Sequence, residues 1–208
     1  MKKLSFTRKG GSILNNSIAK KKAMNELFEE FLFLSARLRT KYVDSLGERN
    51  NNWEKVFYDL YGEIPELFQV IYNKVSGTRR NIADQTLMDF IPGFRLIHIC
   101  ELKEESVKLN RYYNDKIQVI IPFLANYSSD YICYCRTNAG KEYIGSISHD
   151  DLMVIQMHKN IKKFFETICA FYQFNVYFLD TDGYLDYDLE LEGTIGAEIN
   201  LGIPYWLE

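Results

Sequence analysis

The residues best equipped for chemistry in this chain are few and scattered. His149-Asp150-Asp151 sets an imidazole beside two carboxylates, the groups of general acid–base catalysis and metal coordination. Neighbours on one turn rarely converge on a single point, however, and no serine or cysteine elbow accompanies them. A turn that caps the following segment is expected, with a small hydrolase or metal-dependent enzyme built on His149, Asp150 and Asp151 as the alternative. Asp180-Thr181-Asp182-Gly183-Tyr184-Leu185-Asp186 has the composition of a calcium loop. An EF-hand loop needs an acid first, glycine sixth and a bidentate glutamate twelfth. With Gly183 sixth, the first and twelfth places fall on Phe178 and Leu189, so a turn is expected instead. His98 and His158 stand alone, and His98 alternates with apolar neighbours as a core histidine does. Gly140, Lys141 and Gly145 lack the spacing and the following helix of a phosphate loop. The four cysteines, Cys100, Cys133, Cys135 and Cys169, lie in apolar segments without the Cys-x-x-Cys spacing of redox or zinc sites. Reduced, buried thiols are expected. The chain is read as a non-enzyme without a cofactor or metal.

These residues hang on a strand-rich centre. Residues 117–123, 131–135 and 142–147 are β-rich runs separated by the turn residues Asn126-Tyr127-Ser128-Ser129-Asp130 and Asn138-Ala139-Gly140. That pattern predicts an antiparallel meander, and the first two runs are apolar on both faces, so the sheet is expected to be covered. Before it, helical spacing predicts a helix over 25–46 capped by Asn25, and a second over 53–61 ending at Gly62. A third is predicted from Pro65 to about residue 75, stopped by Ser76-Gly77. Residues 94–100 read as a strand and 101–113 as a surface helix. After the meander, Ile161, Phe164, Phe165, Ile168 and Tyr172 form a helical stripe, and 174–179 reads as a last strand. In residues 184–199 apolar and acidic residues alternate with strand periodicity, yet Asp and Glu are poor strand residues, so strand and helix both stay open.

At 208 residues, with 47% hydrophobic and 15% aromatic content, the chain is globular in composition and long enough for one core. Residues 23–208 are read as a single α+β domain preceded by a flexible basic arm, residues 1–22. No apolar run approaches the roughly 20 residues of a membrane span. Residues 4–14, broken by Arg8, Lys9, Gly10 and Gly11, do not make a signal-peptide core, and a cytoplasmic protein is expected. The net charge is only −3, but it is unevenly placed. Residues 1–22 carry seven cations and no acid, whereas residues 164–208 carry nine acids and no Lys or Arg. The arm offers no aromatic platform for stacking bases, so it is read as a solvated tail, with no nucleic-acid or membrane partner.

The order of segments resembles the SUKH superfamily, which includes fungal cell-wall-assembly (glucan-synthesis) regulators and many bacterial immunity proteins. Gly62-Glu63-Ile64-Pro65-Glu66-Leu67-Phe68 is similar to the family's opening, an apolar residue and proline that start a helix ending near glycine; Ser76-Gly77 stands where the family has Asn-Gly. Ile91-Pro92-Gly93-Phe94-Arg95-Leu96 resembles its second block. Ile121-Pro122-Phe123-Leu124-Ala125 through Asp130-Tyr131-Ile132-Cys133 resembles its most recognisable one, with Asn126-Tyr127-Ser128-Ser129 replacing a glycine-rich loop. Residues 160–168 look like the closing helix.

The resemblance covers about residues 53–173. It implies an α+β fold with a mixed or antiparallel sheet flanked by helices, here with an extra N-terminal helix and an acidic C-terminal extension. It also implies a protein that binds rather than catalyses: an immunity protein occluding a cognate toxin domain, or a regulatory scaffold. Two sets of partner-binding residues are expected. Tyr127, Asp130 and Tyr131 lie on a loop of a rigid sheet, where binding residues concentrate. Asp186, Asp188, Glu190 and Glu192 would meet a basic partner such as a nuclease toxin, since a phosphate-binding cleft must itself be basic.

Overall fold

The structure, a computed structural model, describes residues 23–109, 117–150 and 153–207. The basic arm and Asp151 lie outside the described residues. Five strands form one antiparallel sheet in the order β1-β2-β3-β4-β5: β1 (Arg95–Leu96), β2 (Ile117–Ala125), β3 (Tyr131–Thr137), β4 (Glu142–Ile147) and β5 (Ile155–His158). The expected meander is its middle, with Ile121 opposite Tyr134 and Cys133 opposite Gly145. Pro122 has no N–H to give an internal strand, and it sits where the register shifts between Pro122 and Leu124, a bulge that tolerates the missing donor.

Helices cover the sheet on both sides. The described helices are α1 (Met24–Leu38), α2 (Tyr42–Ser45), α3 (Trp53–Tyr61), α4 (Glu66–Tyr72), α5 (Leu102–Leu109), α6 (Ile161–Gln173) and α7 (Leu189–Ile199), of which α4 and α6 lie on one face of the sheet and α5 on the other. The first five residues of β3 are all buried. Tyr131 and Tyr134 differ in parity and so face opposite sides. Tyr134 meets Phe68 of α4, while the Tyr131 hydroxyl reaches Glu105 of α5. Phe123 packs edge-on against Phe164 of α6, and Phe28 of α1 packs on Phe165. The fold is therefore the α+β arrangement expected, with an antiparallel sheet. Among the described residues, no helix is long and apolar enough to cross a membrane.

Several expectations need correction. Helix α1 is capped by Ala23, whose N–H donates to Glu26 Oε2 at 3.0 Å, and not by Asn25. It stops at Leu38 instead of running to residue 46. Arg39 leaves it with extended backbone and turns inward. Its Nη1 donates to the Asp89 carbonyl at 2.8 Å, its Nη2 donates to the Tyr172 hydroxyl at 3.1 Å, and its guanidinium lies 3.8 Å from the Tyr42 ring centre. A continuous helix would carry that charge past these partners.

The expected strand over 94–100 narrows to Arg95–Leu96, because the chain turns away to pair with Ser76-Gly77: Thr78 N–H donates to the Leu96 carbonyl and Ile99 N–H to the Ser76 carbonyl. Gly77 has φ +91°, and a Cβ there would collide with the Ile97 backbone, so the glycine is required by close approach as well as conformation. Strand β5 has no counterpart in the sequence reading. Strand β6 (Tyr177–Leu179) is not the last, since β7 (Leu185–Tyr187) pairs with it and α7 follows. The alternating segment is thus strand first and helix second. The switch comes at Asp188, whose carboxylate accepts the Leu191 N–H at 3.0 Å and caps α7. Cys133, Cys135 and Cys169 are buried and reduced, but Cys100 is exposed.

Candidate functional site

The loop at residues 126–130 is held in shape by its own side chains. Asn126 Oδ1 accepts from the backbone N–H groups of Ser128 (2.9 Å) and Asp130 (2.8 Å), and Asn126 Nδ2 donates to Asp130 Oδ2 at 2.7 Å. An Asx side chain closing a turn on its own backbone is what lets this loop dispense with glycine. Ser129 takes the left-handed conformation, with φ 68°.

The other Asp130 oxygen reaches across to the end of β4. Asp130 Oδ1 accepts from the His149 backbone N–H at 2.8 Å and lies 2.8 Å from His149 Nδ1. Burial pushes the Asp130 carboxyl up, but hydrogen bonds from His149 and Asn126 outweigh it and hold it below the usual range. The hydrogen bond to Asp130 raises the His149 imidazole above its ordinary value. The remaining ring nitrogen, Nε2, lies 3.2 Å from Asp150 Oδ1. Both nitrogens thus face carboxylates, an arrangement that latches two loops together. Among the described residues, no group of three His, Cys, Asp or Glu side chains is placed to hold a metal ion.

Of the loop residues expected to bind a partner, Tyr127 is exposed and its hydroxyl donates to the Arg80 carbonyl at 2.7 Å, tying the loop to a neighbouring one. Asp130 serves the latch. Tyr131 does not belong to the surface set: it is buried, and its hydroxyl donates to Glu105 Oε2 at 3.0 Å.

Glu105 is the residue that sequence reasoning placed worst. The segment 101–113 reads as a surface helix, yet Glu105 is 1% exposed. Its Oε1 is 3.1 Å from Arg95 Nη2, Arg80 pairs with it from the rim, and Arg95, itself 3% exposed, also reaches Glu101 Oε2 at 2.7 Å and donates to the Thr78 carbonyl at 2.8 Å. An arginine inside the apolar run 94–100, followed by acids four apart at 101 and 105, was the available signal. His98, as expected, is a satisfied core histidine, its Nδ1 accepting the Cys100 N–H at 3.2 Å. Burial, first of all, lowers its basicity. His158 is also buried; its Nδ1 lies 3.1 Å from Asn200 Oδ1, and burial pulls its pKa down to about 4.

The second face is built by the β6–β7 hairpin, α7 and the 3₁₀ turn at Pro204–Trp206. Residues 180–184 form a turn, as expected, between β6 and β7: Asp180 Oδ1 accepts from the backbone N–H groups of Asp182 and Tyr184, both at 2.9 Å. Asp186 accepts from the Tyr187 N–H, Asp188 caps α7, and Glu190 is exposed. Large apolar side chains stand exposed among these acids, including Phe178, Tyr184, Leu189, Leu201 and Leu207. Glu192 differs from Asp186, Asp188 and Glu190 in being half-buried, at the edge of a groove of about 570 Å³ between α7 and the C-terminal turn. No family model matches the chain, and no curated protein matches it significantly.

Proposed function

We propose that this chain is a non-catalytic binding protein of the immunity type, which acts in the cytoplasm by occluding a cognate toxin domain. One observation carries the reading: the C-terminal face mixes exposed large apolar side chains with acids, and residues 164–208 contain no Lys or Arg. Exposed apolar groups bordered by charge mark interaction surfaces. A field of one sign steers a partner of the other sign, which makes a basic, nuclease-type toxin the best-matched partner. The SUKH-like order of segments over residues 53–173 supports the same reading. A regulatory scaffold would use the same face. Catalysis by His149 has one observation in its favour, the contact with Asp130, but Nε2 meets Asp150 where a nucleophile would have to be.

The test first asks whether the adjacent coding region encodes a large secreted protein with a variable C-terminal domain, and takes that domain as the partner. Its association rate should fall about 10- to 1000-fold from low to high salt, and replacing Asp186, Asp188, Glu190 and Glu192 by their amides should flatten that slope. Co-expression should protect cells from that domain. A salt-indifferent rate refutes the electrostatic part, and failure of both binding and protection refutes the immunity reading.

A further inference from the structure

The groove on the C-terminal face has a specific shape and a single charged wall. Its sides are Leu189, Gly193 and Ala197 of α7, facing Tyr205, Trp206 and Leu207. The second wall is fixed: Trp206 Nε1 donates to the Met157 carbonyl of β5 at 2.6 Å, and the ring lies so close to Gly196 that a Cβ there would collide with it. Beside that contact the groove stays open, because the space a Cβ on Gly193 would enter has no atom within 4 Å. Glu192 stands at the edge beside Glu190, burial first and its charge second raise the pKa of Tyr177, Tyr187 and Tyr205, and it has no hydrogen bond or ion pair from its carboxylate among the described residues.

We infer that this groove receives one lysine or arginine side chain of a protein partner, its aliphatic stem along Leu189, Ala197 and Tyr205 and its cationic head on Glu192. The inference rests on the binding-protein reading above and names the chemistry of the contact. Burial alone pushes the Glu192 carboxyl up to about 7, so the empty groove holds a carboxylate at a cost that an entering cation removes. Lys and Arg carry the long apolar stem that such a lining suits. A bare metal ion does not fit, since hard cations take six to eight oxygen ligands and this groove offers only the half-buried Glu192 and the exposed Glu190 in a largely apolar lining. A polypeptide is favoured over a free amine because Leu189 and Leu207, 73% and 72% exposed, flank the groove and would cover apolar neighbours of the inserted residue.

The experiment titrates the ¹⁵N-labelled protein with a blocked hexapeptide, Leu-Ala-Lys-Ala-Leu-Tyr, and with its norleucine counterpart. The lysine peptide should shift the amides of Gly193, Thr194 and Ala197 and the Trp206 indole, and bind about tenfold more tightly than the norleucine peptide. Glu192→Gln should erase that difference. Gly193→Phe, which fills open space without touching the fold, should abolish binding of both while the melting temperature stays unchanged within a few degrees. Equal affinity for the two peptides, or full binding by Gly193→Phe, overturns the inference. Either result leaves the salt dependence of toxin association unaffected, so the groove and the broader reading fail separately.

Discussion

Removing the Glu105 carboxylate should be among the most destabilising single changes in this chain. Glu105→Ala deletes the acceptor for Arg95 Nη2 and for the Tyr131 hydroxyl, and the partner of Arg80. Arg95 stays buried at 3% exposure and keeps only Glu101 and the Thr78 carbonyl. Breaking a buried pair by removing one partner costs about 3–5 kcal/mol, and the surviving Glu101 contact places this case toward the lower end. An orphaned Tyr131 hydroxyl adds about 1 kcal/mol or more. The expected loss is about 3–4 kcal/mol, a large part of the roughly 5–15 kcal/mol of a typical domain. Glu105→Gln keeps the shape and one acceptor, and should cost about half as much. Urea titration followed by tryptophan fluorescence reads the loss as a lower midpoint at unchanged slope. In a chain of this size it corresponds to a fall of about 6–16 °C in Tm. A loss below about 1 kcal/mol for Glu105→Ala would refute the argument that this network is held by burial. Its position matters for the loop above it, because Arg80 joins Glu105 through its side chain and Tyr127 through its carbonyl.

The latch between Asp130 and His149 has a pH window. His149 is raised above its ordinary 6.5, so its contribution is complete below that value and fades as pH rises through the shifted one; Asp130 is lowered below 3.8, so its contribution is lost only as pH falls through the shifted value. An NMR titration should give a His149 midpoint above 6.5 that Asp130→Asn returns toward 6.5; a midpoint at or below 6.5 in the unaltered protein refutes the latch. His158 behaves oppositely: with its pKa pulled from 6.5 to about 4, stability is held above 6.5 and falls as pH drops toward 4, by about 3 kcal/mol. His158→Gln should flatten that dependence, and an unchanged slope between pH 7 and 4 counts against it. Gly196→Ala should force Trp206 off α7 and cost about 1–3 kcal/mol, seen as a red-shifted tryptophan spectrum and a lower urea midpoint; an unshifted spectrum shows that the ring does not pack there.

The sequence alone determined the parts of this protein that depend on local periodicity and turn chemistry. The three central strands follow from β-branched runs between turn residues, and the helix Trp53–Tyr61 lies where its apolar spacing and Gly62 place it. The stripe of Ile161, Phe164, Phe165, Ile168 and Tyr172 lies on α6, where its helical spacing places it. The acidic end and the misfit of Asp180–Asp186 to a calcium loop were legible because charge counts and ligand spacing need no third dimension. Contacts between distant residues were not legible. The pairing of Asp130 with His149, 19 positions on, depends on β3 and β4 lying side by side. Arg39 breaks its helix for the sake of a hydroxyl 133 positions away, and propensity carries no trace of that partner. Glu105 is buried only because Arg95 is brought to it, and Glu192 stands apart from its neighbouring acids only because the C-terminal turn folds back on α7. Tertiary packing decided these points because the burial and pairing of a charge depend on what the fold brings against it, and a linear pattern records only what lies beside it.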